Sequence, residues 1–477
     1  MAYETAVHPM DMHLYRDKFS TSEMRAIFSE ANIVQKRLDV EATLAEAQAE
    51  MGIIPAAAAV EIRRVANLDH MTLEEYSDAY ARKGHDLVAL VWLLASKCTD
   101  GFGEYVHWRS TTQDILWTST ALLYRDALRV LNSNLRELEG EMVQLIEKHR
   151  LTLMAGRTHG QHCPPITFGF YLAILASAVR RHIDRLKEVE SRLLVGKVTG
   201  AVGTAASYGD DAEPLQRLIC EKLGLQVPAI TESEATRDRV AELCNLCSLI
   251  ATTCEKLARD IWTLQRPEIG ELAEPFRTGD QVGSSTLPHK RNPFACEWVQ
   301  GVAKMVRANA YPVNELFVFD VRDGTRLAVE YSCIPSSLMM TSAAVTSMAG
   351  ILRGLTVNAS NMRRNLDVEL GLSMDEPVML RLADAIGRQS AHDLIYECSM
   401  EAFESRRPIR EVLVADPRVT VHIAPEEIDR LMRYENYIGT VPAQIDAVLA
   451  HIHTARSAEE SRSGGTAITG DGAKGKR

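Results

Sequence analysis

The sequence predicts an all-α protein built on long antiparallel helices, and three observations carry that prediction. No proline occurs between Pro55 and Pro164, and proline is the residue that most reliably breaks a helix, through its missing N–H and its ring. From Arg237 to Gln265 the residues Val240, Cys244, Cys247, Ile250, Cys254, Leu257, Ile261 and Leu264 recur in steps of three and four. That is the seam a helix needs to pack lengthwise in a bundle. No comparable set of alternating apolar and polar runs marks strands.

Taken in order, Thr21 to Met51 places Met24, Ile27, Phe28, Val34, Leu38, Leu44 and Ala45 at helical spacing and stops at Gly52 and Pro55. The proline-free stretch then permits the longest helices. Near Gly350 to Gly371 the composition shifts, and Pro377, Pro408, Pro417, Pro425 and Pro442 punctuate shorter helices. The Gly/Ser-rich, charged segment from Arg456 to Arg477 is expected to be disordered. These shifts mark off a smaller helical domain at 358–455 and a tail at 456–477.

With 477 residues the chain can bury a large core. Its net charge of −11 argues against nucleic-acid binding, which needs a basic face to neutralise phosphates. No run of 18 apolar residues is present, so no membrane contact is expected, and the start MAYETAVHPMDMH lacks a signal-peptide pattern. The expected location is the cytoplasm. The nine cysteines are odd in number and scattered, as reduced thiols are. Cys244, Cys247 and Cys254 fall on the apolar seam, which reads as core rather than as a metal or redox centre.

One stretch has too little apolar content to be core: Gly283-Ser284-Ser285-Thr286-Leu287-Pro288-His289-Lys290-Arg291-Asn292-Pro293. A glycine-opened turn can aim successive N–H groups at an anion, and Lys290 adds a full positive charge. A carboxylate belongs there. Four other stretches combine polar side chains with helix breakers. They are Lys83-Gly84-His85-Asp86, the run Tyr105 to Asp114 with His107, Arg109, Thr111 and Thr112, the break Gly156 to Pro165 with His159 and Gln161, and the charged turn Asp320 to Arg326 with Arg322. Hydroxyls beside His and Arg at a helix start suit a carboxylate. A histidine such as His159 titrates in the range needed to protonate a leaving group.

The Gly283–Pro293 loop resembles the signature of the fumarase/aspartase superfamily, GSSxMPxKxNP, with Leu287 in place of the usual methionine. The resemblance covers roughly residues 7 to 450 and is greatest to the adenylosuccinate lyase branch, with 3-carboxy-cis,cis-muconate cycloisomerases also close. It implies three helical domains, an N-terminal one at 1–112, a central long-helix bundle at 113–357 and a C-terminal one at 358–455, with a homotetramer whose central bundles form one core and active sites shared between subunits. It further implies that Ser284 is the base, that His159 is the general acid oriented by His85 and Asp86, and that Lys290, Asn292, His107, Thr111 and Thr112 hold substrate carboxylates. No metal and no organic cofactor is implied.

The chain departs from that branch at two places. Where adenylosuccinate lyases read H-x-G-x-T-S-x-D, this chain has Arg109 in place of the glycine. The branch's three phosphate ligands fall at Arg322, Leu327 and Tyr331, so one of three survives. Each lost charge-assisted hydrogen bond removes about 1.5–3 kcal/mol of phosphate binding. Arg109 and Arg326 point to a smaller, strongly anionic substituent. The expected activity is therefore release of fumarate from a small substituted succinate by C–N cleavage. Nitrosuccinate, losing nitrite, is one candidate. Adenylosuccinate lyase proper, a carboxymuconate cycloisomerase and a non-enzymatic structural homologue are the alternatives.

Overall fold

A computed structural model describes residues 8–230, 236–316 and 324–465, with side chains to residue 461. The described residues are predominantly α-helical. In chain order they include α1 Glu30–Glu50, α2 Leu73–Lys83, α3 Asp86–Lys97, α4 Thr112–Lys148, β1 Leu153–Thr158, β2 Gln161–Thr167, α5 Phe168–Leu193, α6 Asp238–Leu264, α7 Phe294–Glu315, α8 Thr325–Arg353, α9 Ala359–Leu366 and α10 Val441–Gly465. They divide into two compact units. The first is Met1–Arg136, His182–Glu255 and Trp298–Ser347, and the second is Glu137–Arg181, Lys256–Glu297 and Met348–Arg477.

The proline-free stretch yields α4, 37 residues long. The predicted seam is buried in full along α6, from Val240 at 1% exposure to Leu264 at 7%. Its thiols are pushed up by burial, those of Cys247 and Cys254 to about 12, as expected of packing groups rather than nucleophiles. Side chains tie the long helices together within each unit. In the first, Asn134 accepts from Ser342 at 2.7 Å and Lys304 pairs with Glu255 at 2.6 Å. In the second, Arg353 reaches Glu141 at 2.8 Å and Tyr171 donates to Asp260.

The N-terminal segment is two helices rather than one. Ser29 stops the first at Phe28 and caps α1, its Oγ accepting from Asn32 N at 3.3 Å. Sequence periodicity ran through this break because the apolar residues on either side of Phe28 and Ser29 keep a helix-like spacing. In the second unit the C-terminal prolines all sit at or beside helix starts, where the missing N–H costs nothing. Val378, Leu382, Ile395, Leu413 and Ile428 make a core of their own there.

Three local differences from the sequence reading stand out. The expected break at Gly156 to Pro165 is a β-hairpin, with Leu153 opposite Thr167 and Thr158 opposite Gln161. A second two-stranded ladder pairs Leu272–Ala273 with Thr356–Val357. The tail expected from Arg456 begins instead as helix, since α10 continues to Gly465. Arg456 meets Glu139 at 2.7 Å, and Glu459 meets Arg180 at 2.6 Å. Glu139 is fully buried and Arg180 is 1% exposed, so these ion pairs hold the extra turns of helix in place.

Candidate active site

The Gly283–Pro293 loop is closed on itself. Asn292 Nδ2 donates to the Gly283 carbonyl at 2.7 Å, and Lys290 N donates to Leu287 O at 3.0 Å. Glycine is required at 283 because a Cβ would stand 2.1 Å from the Lys290 carbonyl oxygen. Inside this turn Ser284 Oγ accepts from Leu287 N at 3.1 Å and from Thr286 N at 3.3 Å. Two N–H donors on one hydroxyl oxygen favour its ionised form over its neutral one. Lys290 is exposed at the rim of the loop.

The loop is anchored from behind. Glu274, 7% exposed, accepts from Ala295 N at 3.3 Å and Cys296 N at 3.1 Å, capping α7. Gln265 bridges the two strands of chain, donating to Arg291 O at 3.0 Å and accepting from Glu274 N at 2.8 Å. The Arg291 guanidinium lies over Phe276, 4.8 Å from the ring centre. The α7 N-terminus thus begins directly after the loop, and the Glu274 carboxylate is the negative charge that its dipole favours.

His159 stands exposed at the tip of the β1–β2 hairpin, with φ +53 at His159 and φ +79 at Gly160. Positive φ at both central residues is the signature of a type I′ turn, which matches strand twist. A bulge at Ala155/Gly156 sharpens the hairpin, and a Cβ at Gly156 would meet Pro164 O at 2.5 Å. Arg157 anchors it through a bidentate pair with fully buried Glu271, at 2.5 and 3.1 Å. Asn365 on α9 donates to the same carboxylate at 2.8 Å. Gln161 is exposed beside His159.

In the first unit the His107 to Asp114 loop is strained and clamped. His107 has φ +59 and Arg109 φ +60, a conformation costing about 1–3 kcal/mol each in non-glycine residues. His107 Nδ1 lies 2.7 Å from Glu41 Oε1. Burial opposes protonation of this imidazole, but the Glu41 charge and hydrogen bond outweigh it and hold the pKa above its ordinary value. Gln48 donates to Trp108 O at 2.8 Å, and Ser207 Oγ donates to Arg109 O at 2.8 Å. Asp114, 1% exposed, accepts from Thr111 N at 3.2 Å, Ser110 Oγ at 3.3 Å, Thr199 N at 2.8 Å and Gly200 N at 3.1 Å. Thr111 and Thr112 are half-buried at the start of α4.

His85 caps α3, its Nδ1 accepting from Val88 N at 3.4 Å, and Asp86 pairs with Arg37 at 3.1 Å. Arg326 pairs with Glu330 at 3.2 Å, and Arg237 meets the same carboxylate at 2.7 Å. Leu327 and Tyr331 line one small cavity with Arg37, Gln113 and Tyr124, and Tyr331 also borders a cavity of about 200 Å³ with Phe28, Ile33, Leu123 and Pro335. The arginines there already hold carboxylates. A phosphate at Leu327 and Tyr331 would have to compete with them. Arg322 lies outside the described residues.

The fold brings His85, Asp86, His107, Arg109, Thr111, Thr112 and Arg326 into the first unit, and His159, Gln161, Ser284, Lys290 and Asn292 into the second. The supporting residues escaped the sequence reading. Glu41 and Gln48 are nearly wholly buried polar groups in an alanine-rich helix, and a carboxylate set among Val40, Ala42, Leu44 and Ala45 was the available signal. Arg37, Glu271 and Glu274 gave none, because their partners are remote in sequence.

The family described as "Lyase" matches residues 16–308, and "Adenylosuccinate lyase C-terminus" matches residues 371–448. The chain is 37% identical over 446 residues to an adenylosuccinate lyase of Methanocaldococcus jannaschii, covering 93% of this chain and 96% of the relative. It is 37% identical over 447 residues to an N-acetyl-S-(2-succino)cysteine lyase of Dickeya dadantii, covering 94% and 98%. Among solved structures, a fumarate lyase from Mesorhizobium sp. BNC1 superposes with TM-score 0.84 at 35% identity over 91% of this chain and 98% of that one. A 3-carboxy-cis,cis-muconate lactonizing enzyme from Pseudomonas putida gives 0.85 at 33%, over 92% and 98%.

Proposed function

Since the chain belongs to the fumarase/aspartase superfamily of lyases, we propose that it releases fumarate from a small N- or S-substituted succinate by β-elimination. The observation carrying this reading is Ser284 Oγ held by the N–H groups of Thr286 and Leu287. A serine is a poor base until its alkoxide is stabilised; the two fixed N–H donors supply part of that stabilisation, and in this reading the Lys290 ammonium of the same loop supplies the rest.

The Ser284 alkoxide takes a proton from the carbon beside one carboxylate. The freed electron pair passes through the aci-carboxylate, whose added charge Lys290 and the second N–H of Asn292 stabilise. It then forms the carbon–carbon double bond as the bond to the leaving group breaks. The leaving group departs with that bond's electrons, and His159 supplies its proton when the group is basic. His107, whose pKa Glu41 raises, and Thr111 and Thr112 bind the other carboxylate. His85, Asp86 and Gln161 orient the acid and the substrate.

Identity alone does not choose the leaving group, because relatives named for a nucleotide-bearing and for a thiol-bearing succinate are equally similar at 37%. Leu327 and Tyr331 favour a small one. Nitrosuccinate, which loses nitrite, is one small candidate. We further propose a cytoplasmic homotetramer, with the chain divided at about 112 and 357 and its sites completed by neighbouring subunits. Fumarate absorbance followed over nitrosuccinate, an S-(2-succino)thiol and adenylosuccinate tests the reading. Adenylosuccinate is expected at least 100-fold below the other two in kcat/KM. Efficient cleavage of adenylosuccinate, or no fumarate from any of them, contradicts it.

A further inference from the structure

The position that most distinguishes this loop carries an arginine in a backbone conformation suited to glycine. Among the described residues, seven non-glycine residues have positive φ, and His107, Arg109 and His159 are three of them. Strain gathered in this way at candidate site residues, and held by surrounding contacts, is a mark of function rather than of folding. At Arg109 the holding contacts are the hydrogen bond from Ser207 to its carbonyl and the one from Gln48 to the carbonyl before it.

The guanidinium does not repay its backbone cost through stability. It approaches Asp211 at 3.7 Å, with the two side chains 40% and 46% exposed, and such open, long ion pairs contribute little. Glycine at 109 would fold at least as well. Arg326, the other cation expected to meet an added anion, is already engaged by Glu330. The requirement for a positive charge therefore falls on position 109, two residues from His107 and from Thr111.

We propose that Arg109 is a specificity-determining residue that binds an anionic group on the leaving group, beyond the two succinate carboxylates. This deepens the proposed function and rests on it. The substrate class is then succinates whose departing substituent carries negative charge close to the scissile bond, either in the substrate or, as with nitrite, as it leaves.

A matched pair of substrates tests this: N-(carboxymethyl)aspartate and N-(2-hydroxyethyl)aspartate, which share amine chemistry and size but differ by one carboxylate. The full-length chain is compared with Arg109→Gly and with Arg109→Asn, asparagine being an uncharged residue that tolerates left-handed backbone. In the wild type, kcat/KM should favour the carboxymethyl substrate by at least 30-fold. Both variants should bring that ratio to within 3-fold, through KM, while melting no lower than the wild type. A ratio that survives the substitution overturns the assignment, as does a fall in Tm, which would make Arg109 a structural residue. If the wild type releases fumarate from neither substrate, nor from nitrosuccinate or an S-(2-succino)thiol, the proposed function itself has failed, and this result precedes any variant; release from one of the last two but from neither aspartate overturns the Arg109 assignment alone.

Discussion

Asn292 Nδ2 and the Gly283 carbonyl oxygen lie 2.7 Å apart, so one side-chain hydrogen bond joins the two ends of the signature loop. Asn292→Asp replaces a donor by an oxygen facing an oxygen, and Gly283→Ala places a methyl 2.1 Å from the Lys290 carbonyl. Both changes should open the turn that aims N–H groups at Ser284. Steady-state kinetics should show fumarate release falling at least 100-fold in each, with Tm within a few degrees of wild type because the loop is largely exposed.

His159 sits at the hairpin tip, and its importance should follow the basicity of the leaving group. Nitrite leaves without a proton, whereas an amine does not. His159→Ala should therefore cost less than 10-fold in kcat on nitrosuccinate and 100-fold or more on an N-alkyl aspartate, within the usual range for general acid catalysis. Equal losses on both would remove His159 from the role of acid.

Glu41 raises the pKa of His107 above its ordinary 6.5. A raised folded pKa adds stability that is fully present below the unfolded value near 6.5 and lost as pH rises through the folded one. Glu41→Gln should lower the His107 titration midpoint seen by NMR. The stability difference between wild type and variant should be largest below about pH 6.5 and shrink at higher pH. A midpoint unmoved by the substitution would contradict the coupling.

Arg180 is buried against Glu139 at 2.7 and 2.8 Å and meets Glu459 at 2.6 Å. Arg180→Ala leaves a buried carboxylate with one cation fewer and should cost about 3–5 kcal/mol by denaturant unfolding. Ending the chain at Ala455 removes Arg456 and Glu459 together and should lower Tm measurably, since the helix to Gly465 is part of the folded structure.

Long-range order was legible where physics acts locally. The α6 seam and the C-terminal prolines could be read because burial periodicity and the missing N–H are properties of neighbouring residues. The signature loop was legible because its glycine, lysine and asparagine all lie within eleven residues. The hairpin under His159 was not, since its strands are short and Pro164 and Pro165 argue against a ladder. Nor was the Glu41 contact with His107, which joins residues 66 apart in sequence. The strain at Arg109 required a backbone angle that a sequence does not contain.

The central claim is tested most directly at Ser284. Ser284→Ala removes the oxygen that accepts from Thr286 and Leu287 while leaving the backbone turn intact. Fumarate release from the best substrate, measured by absorbance in protein whose Tm is unchanged, should fall at least 1,000-fold, with substrate still bound. Turnover within 10-fold of wild type would show that another group removes the proton.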